Sequence, residues 1–233
     1  MGNIIGVLFV LALAPTVAAI FYMYIRDKYE KEPIWLLATG LLFGALITFP
    51  IMQTATFSTL LLPINSGRLG DAAFTALVSS SLVEEAFKFT VLFFLVWFNK
   101  NLNEPLDGIV YAVFISLGFA GVENILYVFN PELGGISTAV LRAVFSVPGH
   151  ALFGVMMGYY FALAKFEPHR RVRHLLCAFI GAWLLHGVYN FILLSGMTYW
   201  MVIFIPFVIF MWRGGLVKIK KHLNNSPFKP VSQ

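Results

Sequence analysis

SSSLVEEAFKFTVLFFLVWF, residues 79–98, is the stretch on which the reading turns. Two adjacent glutamates, Glu84 and Glu85, and Lys88 within one helical turn stand in a run otherwise apolar enough for lipid. Ionisable groups inside a hydrocarbon layer are expensive, face a bundle interior and mark function. Lys88 follows Glu84 by four positions and Glu85 by three, so on a helix it reaches either carboxylate. The glutamates themselves diverge by ~100° around a helix. One is therefore expected to face a site while the other pairs with Lys88 or a neighbouring helix.

The rest of the chain supplies the lipid setting. Of 233 residues, 59% are hydrophobic and only 12% charged, and the mean hydropathy is +0.82. A soluble domain uses about a quarter charged residues. The fold class expected is an all-α polytopic membrane bundle. A hydrocarbon core of roughly 30 Å takes about 20 apolar residues to cross. Seven segments qualify, at 4–25, 34–62, 72–98, 107–129, 137–163, 175–194 and 199–217. The second contains Pro50 and is either one kinked span or a span followed by a re-entrant piece at 54–62, which would make eight. The first has no basic leader and no cleavage site, and reads as a retained span. Residues 1–217 then form one transmembrane domain with its core at 72–195, and 218–233 form a short basic cytoplasmic tail. The single cysteine, Cys177, excludes an intrachain disulfide.

Basic residues fix the expected orientation. Connections 26–33, 99–106 and 164–174, with the chain from 213 onward, hold thirteen of the 16 Lys and Arg residues. The alternate connections hold Arg68 alone, and Lys88 and Arg142 lie inside spans. The N-terminus is expected outside and the C-terminus in the cytoplasm of a cell membrane. The net charge of +5 is accounted for by this topology and by contact with the lipid bilayer, not by nucleic acid.

Few other polar side chains fall within spans: Asp107, Glu123 and Asn124 in the fourth, Arg142 and His150 in the fifth, His186 and Asn190 in the sixth. At 1.5 Å per residue, Glu84, Glu123, His150 and His186 come out ~18, ~9, ~20 and ~12 Å below the outer surface. Four helices thus carry carboxylate or imidazole groups at similar depth, where they converge on a cavity opening outward. Two or three carboxylates with two imidazoles suit a borderline metal such as zinc. A spare carboxylate takes a proton from water that attacks a carbonyl, with or without the metal. Asn190 or a histidine then donates to the developing oxyanion.

Blander readings stand beside these. Glu84, Glu85 and Lys88 make a plain ion-pair cluster, and His150, after Pro148 and Gly149, satisfies a broken-helix backbone. His186 with Asn190 serves as interhelical glue. Arg142 snorkels to the interface. Asp107 caps a helix. Gly40/Gly44 and Gly154/Gly158 mark close helix packing. No H-E-x-x-H and no G-x-S-x-G occurs.

The ordered motifs EEAFK (84–88), GFAGVEN (118–124), PGHALFG (148–154) and HGVYN (186–190) resemble the PrsW family of bacterial and archaeal membrane proteases, which is similar to the Abi/CAAX-protease clan. The resemblance covers roughly residues 75–195. It implies that Glu84 and Glu85 are the essential pair, with His186 and Asn190 in the catalytic set. It implies a divalent metal, zinc, among Glu85, Glu123, His150 and His186, supported by Lys88 and Asn124. It further implies a membrane-anchored protein substrate of the anti-sigma-factor kind, cut on its extracytoplasmic side in a bacterial or archaeal plasma membrane. Glu123 stands where CAAX enzymes commonly carry histidine, which sets prenyl-protein specificity apart. The expected function is intramembrane endopeptidase. A proton-coupled transporter is the rival; it requires polar groups reaching the cytoplasmic side, where only Asp107 is evident. A non-catalytic scaffold or immunity protein of the same clan is the third reading.

Overall fold

The computed structural model describes residues 2–61 and 67–230. Among them it is all-helical. Helix α1 is Gly2–Arg26. The expected kinked span is α2, Ile34–Leu46, followed after Ile47 by α3, Thr48–Leu61. Pro50 falls in the first turn of α3, where its missing N–H is tolerated. The far end of the notional 54–62 piece runs into residues outside those described.

Next comes one helical path, α4 (Arg68–Phe74), a π-helical stretch (Thr75–Leu82) and α5 (Val83–Val96). Then follow α6 (Pro105–Val128), α7 (Ile136–Leu141), a second π-helical turn (Arg142–Ser146) and α8 (Val147–Phe166). Helices α9 (Arg171–Leu194) and α10 (Thr198–Asn224) complete the bundle.

Among the described residues, six helices are long and apolar enough to cross a membrane: Ile4–Arg26, Ile34–Thr54, Pro105–Val128, Ile136–Phe166, Pro168–Leu194 and Thr198–Asn224. The expected span at 72–98 is helical too, but it stands apart because it carries Glu84, Glu85 and Lys88 in its middle. Helix α10 continues to Asn224, so the first part of the expected tail is helical.

Helix α6 is the axis of the bundle, buried on all sides from Leu106 to Gly121. A helix apolar all round is read as a buried one. Its neighbours come close because glycines allow it. A Cβ on Gly118 would lie 2.1 Å from the Leu41 carbonyl oxygen, and one on Gly158 2.2 Å from that of Gly108. Both glycine pairs of the sequence reading therefore sit at close helix crossings, with Gly44 against Ile115 and Gly154 against Ala112 and Val113.

Asp107 does not cap α6 as its N-cap. Glu104 does, and Asp107 answers from the third position by accepting the backbone N–H groups of Glu104 at 2.7 Å and Asn103 at 2.9 Å. The reciprocal arrangement is a capping box.

Candidate active site

Both π-helical stretches run directly into site residues. The first ends at Leu82, two residues before Glu84, and the second ends at Ser146, four before His150. A π turn holds an extra residue and is found mostly at functional sites. Here the first brings Ser80, Ser81 and Glu84 to one side of the helix. Ser80 donates to Glu84 at 2.9 Å, and the Asn190 amide donates to Ser80 at 3.1 Å and Ser81 at 3.3 Å.

The glutamates meet in spite of their angular separation. The Lys88 ammonium lies 3.3 Å from Glu84 Oε2 and 2.9 Å from Glu85 Oε1, and it sits 4.2 Å over the Phe119 ring. It is also 3.3 Å from His150 Nδ1. His186 Nδ1 lies 2.9 Å from Glu85 Oε1 and 3.8 Å from Glu84 Oε2, and its Nε2 faces the Asn190 amide at 3.0 Å. Read with Asn190 as donor, His186 carries its proton on Nδ1, toward Glu85. One ligand atom from each of Glu84, Glu85, His150 and His186 falls within a 4.8 Å group, and all four residues are buried.

Glu123 stands one step further out. Its Oε2 accepts from Arg142 at 2.5 Å and faces His150 Nε2 at 3.0 Å. With Lys88 donating to Nδ1, the His150 proton belongs on Nε2, toward Glu123. Glu84 rather than Glu123 thus completes the four-residue group. Arg142 does not snorkel to lipid. Its guanidinium turns inward, donates to Asn124 at 2.8 Å and lies 4.0 Å over Tyr127. Asn124 in turn donates to the Ala12 carbonyl at 2.6 Å, tying α1 to α6.

These residues line a cavity of about 570 Å³. Glu84, Glu123, Arg142, His150, His186 and Asn190 form its polar floor. Aromatic side chains wall it. Phe153 stacks on the His186 ring at 4.5 Å and 17°, Tyr189 packs edge-on to Phe153 at 5.8 Å, and Phe204 from α10 lies 5.1 Å from Tyr189. Sequence reading had not singled out Ser80, Ser81, Phe153 or Tyr189. Their spacing from the motif residues was the available signal, since Ser80 precedes Glu84 by four and Tyr189 follows His186 by three.

Two carboxylates and two imidazoles within 4.8 Å are donors of the kind a divalent metal of borderline softness takes, with Glu85 Oε2 buried and without a hydrogen-bond partner; a metal there would displace the Lys88 ammonium from Glu84, Glu85 and His150.

A second ionisable cluster lies at the opposite end of α6. Asp27, Glu32, Glu104 and Asp107 are all buried there. Tyr111 donates to Glu32, Ser226 donates to Glu104, and the Glu32 backbone N–H reaches Asp27 at 3.2 Å. Asn103 reaches Glu30 at 3.0 Å. Burial pushes the Asp27 carboxyl up to about 6 and that of Glu32 up to about 7, the latter against the lowering effect of its hydrogen bonds to Asp107 and Tyr111. Burial also raises Glu104. This end of the bundle is therefore less apolar than expected from the sequence. It is not joined to the Glu84 site along α6: between Tyr111 and Glu123 the one polar side chain is that of Ser116.

A family model described as PrsW family intramembrane metalloprotease matches residues 32–212. Similar curated proteins named Protease PrsW include that of Oceanobacillus iheyensis, 41% identical over 217 residues, covering 92% of this chain and 95% of the relative. The Geobacillus kaustophilus protein is 40% identical, covering 90% of this chain and 89% of its own. The Bacillus subtilis protein is 37% identical, with 90% and 92% covered. No solved structure matches. With four buried acid and imidazole side chains gathered in one group beside a cavity of a helical bundle, and with these relatives along most of its length, the chain belongs to the PrsW family of intramembrane metalloproteases, and is a membrane peptidase.

Proposed function

We propose that this peptidase cuts a membrane-anchored protein of the anti-sigma-factor kind, in its segment near the outer leaflet of a bacterial or archaeal plasma membrane. The observation that carries the reading is the gathering of Glu84, Glu85, His150 and His186 in one buried group, of which Glu84, His150 and His186 line a single cavity. The outer-leaflet depth rests on the basic residues collected at the other end of the bundle.

The two glutamates take different parts. Glu84 lines the cavity and is the base. Glu85 is fully buried between Lys88 and His186 and acts as anchor. Water in the cavity gives a proton to Glu84 as its oxygen bonds to the peptide carbonyl carbon. The same proton passes from Glu84 to the leaving amine as the C–N bond breaks, yielding one new carboxylate and one new amine. A divalent metal, zinc, when bound by Glu84, Glu85, His150 and His186, supplies Lewis-acid polarisation of the carbonyl. His150 is held by Glu123, and Glu123 by Arg142, so the imidazole is oriented from behind.

The test is cleavage of a single-span substrate by protein purified in detergent, with bound metal measured alongside. Glu84→Gln, Glu85→Gln and His186→Ala should each lose cleavage. Full activity in all three would sink the assignment.

A further inference from the structure

Developing negative charge on the scissile carbonyl oxygen requires a free hydrogen-bond donor in the cavity. Asn190, the donor suggested by sequence, is already engaged: its amide nitrogen serves His186 at 3.0 Å, Ser80 at 3.1 Å and Ser81 at 3.3 Å. Two amide hydrogens facing three partners leave nothing over for substrate.

The next residue back differs. Tyr189 is 4% exposed and lines the cavity. Among the described residues its hydroxyl makes no hydrogen bond. The residue is buried but its hydroxyl is not sealed within the protein; it opens on the cavity and is free to donate to what the cavity holds. The ring is held firmly. Phe153 packs on it at 5.8 Å and Phe204 at 5.1 Å. Its phenol end lies against Gly149, where a Cβ would stand 3.7 Å from Tyr189 Cζ. Gly149 immediately precedes His150, and Tyr189 lines the same cavity as Glu84, His150 and His186. Phe153, stacked on His186, separates the tyrosine ring from the imidazole and keeps the two in fixed relation.

We infer that the Tyr189 hydroxyl is a catalytic donor: it hydrogen-bonds the carbonyl oxygen of the scissile peptide and strengthens that bond as the oxygen gains charge. No proton is transferred and no covalent bond changes at Tyr189. Asn190 is then a positioning residue, fixing the His186 tautomer from one side while Glu85 receives its proton on the other. This inference rests on the proposed protease chemistry at the same cavity.

The experiment is Tyr189→Phe, assayed on a single-span substrate beside wild type and Glu84→Gln, with thermal unfolding of each variant in detergent. The expected result is a fall of about a hundred- to a thousandfold in kcat with KM little changed, as for loss of one oxyanion donor acting in the transition state. Unfolding temperature should be unchanged or higher, because the deleted hydroxyl had no protein partner to lose. Activity within twofold of wild type overturns the inference, and so does a loss of activity matched by a fall in unfolding temperature. If Glu84→Gln also cleaves normally, the site reading itself has failed rather than the role of Tyr189.

Discussion

Glu84 and Glu85 are chain neighbours that both contact the Lys88 ammonium, yet one opens on the cavity and the other is sealed from it. Substituting each should therefore give different phenotypes. Glu84→Gln is expected to abolish cleavage with an unfolding temperature near that of wild type. Glu85→Ala is expected to abolish cleavage and to destabilise by about 3–5 kcal/mol, because it leaves Lys88 and His186 buried without their nearest partner. Thermal unfolding beside a cleavage assay separates the two, and equal stability of both variants would contradict the division of roles.

Arg142 is expected to matter through Glu123 and His150 rather than through lipid. Arg142→Ala removes the guanidinium from Glu123 and Asn124 and frees Glu123 from its orientation. Cleavage should fall by about 10- to 100-fold, the range for loss of an orienting partner behind a ligand. Arg142→Lys should recover only part, since one ammonium cannot bridge Glu123 and Asn124 as a planar fork does. A snorkelling arginine would give full activity in both.

Metal removal has two readouts. Chelation should stop cleavage, with recovery on adding zinc. Bound metal per chain, measured on purified protein, should drop in His186→Ala and Glu85→Gln and stay near wild type in Tyr189→Phe. Wild-type metal content in the His186 and Glu85 variants would move the metal elsewhere.

Stability should depend on pH through the Asp27, Glu32, Glu104 and Asp107 cluster. Asp27 and Glu32 hold their protons up to about 6 and about 7 in the folded protein, against ordinary values of 3.8 and 4.5. A raised folded-state value means the contribution is fully present below the unfolded value and is lost as pH rises toward the folded one. Unfolding temperature should fall as pH rises from about 4 to about 7. Glu32→Gln should flatten part of that slope and raise stability at pH 7.5. A wild-type curve that rises with pH over the same window would refute the reading.

Close helix crossings give a fifth test. Gly118→Ala drives a Cβ to within 2.1 Å of the Leu41 carbonyl oxygen, whereas Gly6→Ala meets nothing within 4 Å. The first should cost about 1–3 kcal/mol or more by overpacking. The second should be neutral in thermal unfolding.

Much of this was legible in the chain itself. Isolated ionisable residues within apolar runs identified Glu84, Glu85, His150 and His186 because lipid makes such residues conspicuous. Arg142 was conspicuous too, but its direction depends on where α7 and its π turn set it against α6, which no local pattern encodes. Ser80, Ser81 and Tyr189 carry small or amphipathic groups that fit an apolar span without strain, so nothing in composition marks them. Glu32 and Glu104 sit in polar connections where acids are ordinary. Only the fold of the 27–33 and 99–104 connections against Asp107 and Tyr111 buries them.

His186 joins Glu85 across 101 residues of sequence. A membrane chain is made and inserted from its N-terminus, so α5 enters the bilayer well before α9 exists. During that interval the glutamates have no imidazole from α9, Ser80 and Ser81 lack Asn190, and no enclosed cavity is present. On the proposed roles of these residues, competence to cut arrives only when α9 docks.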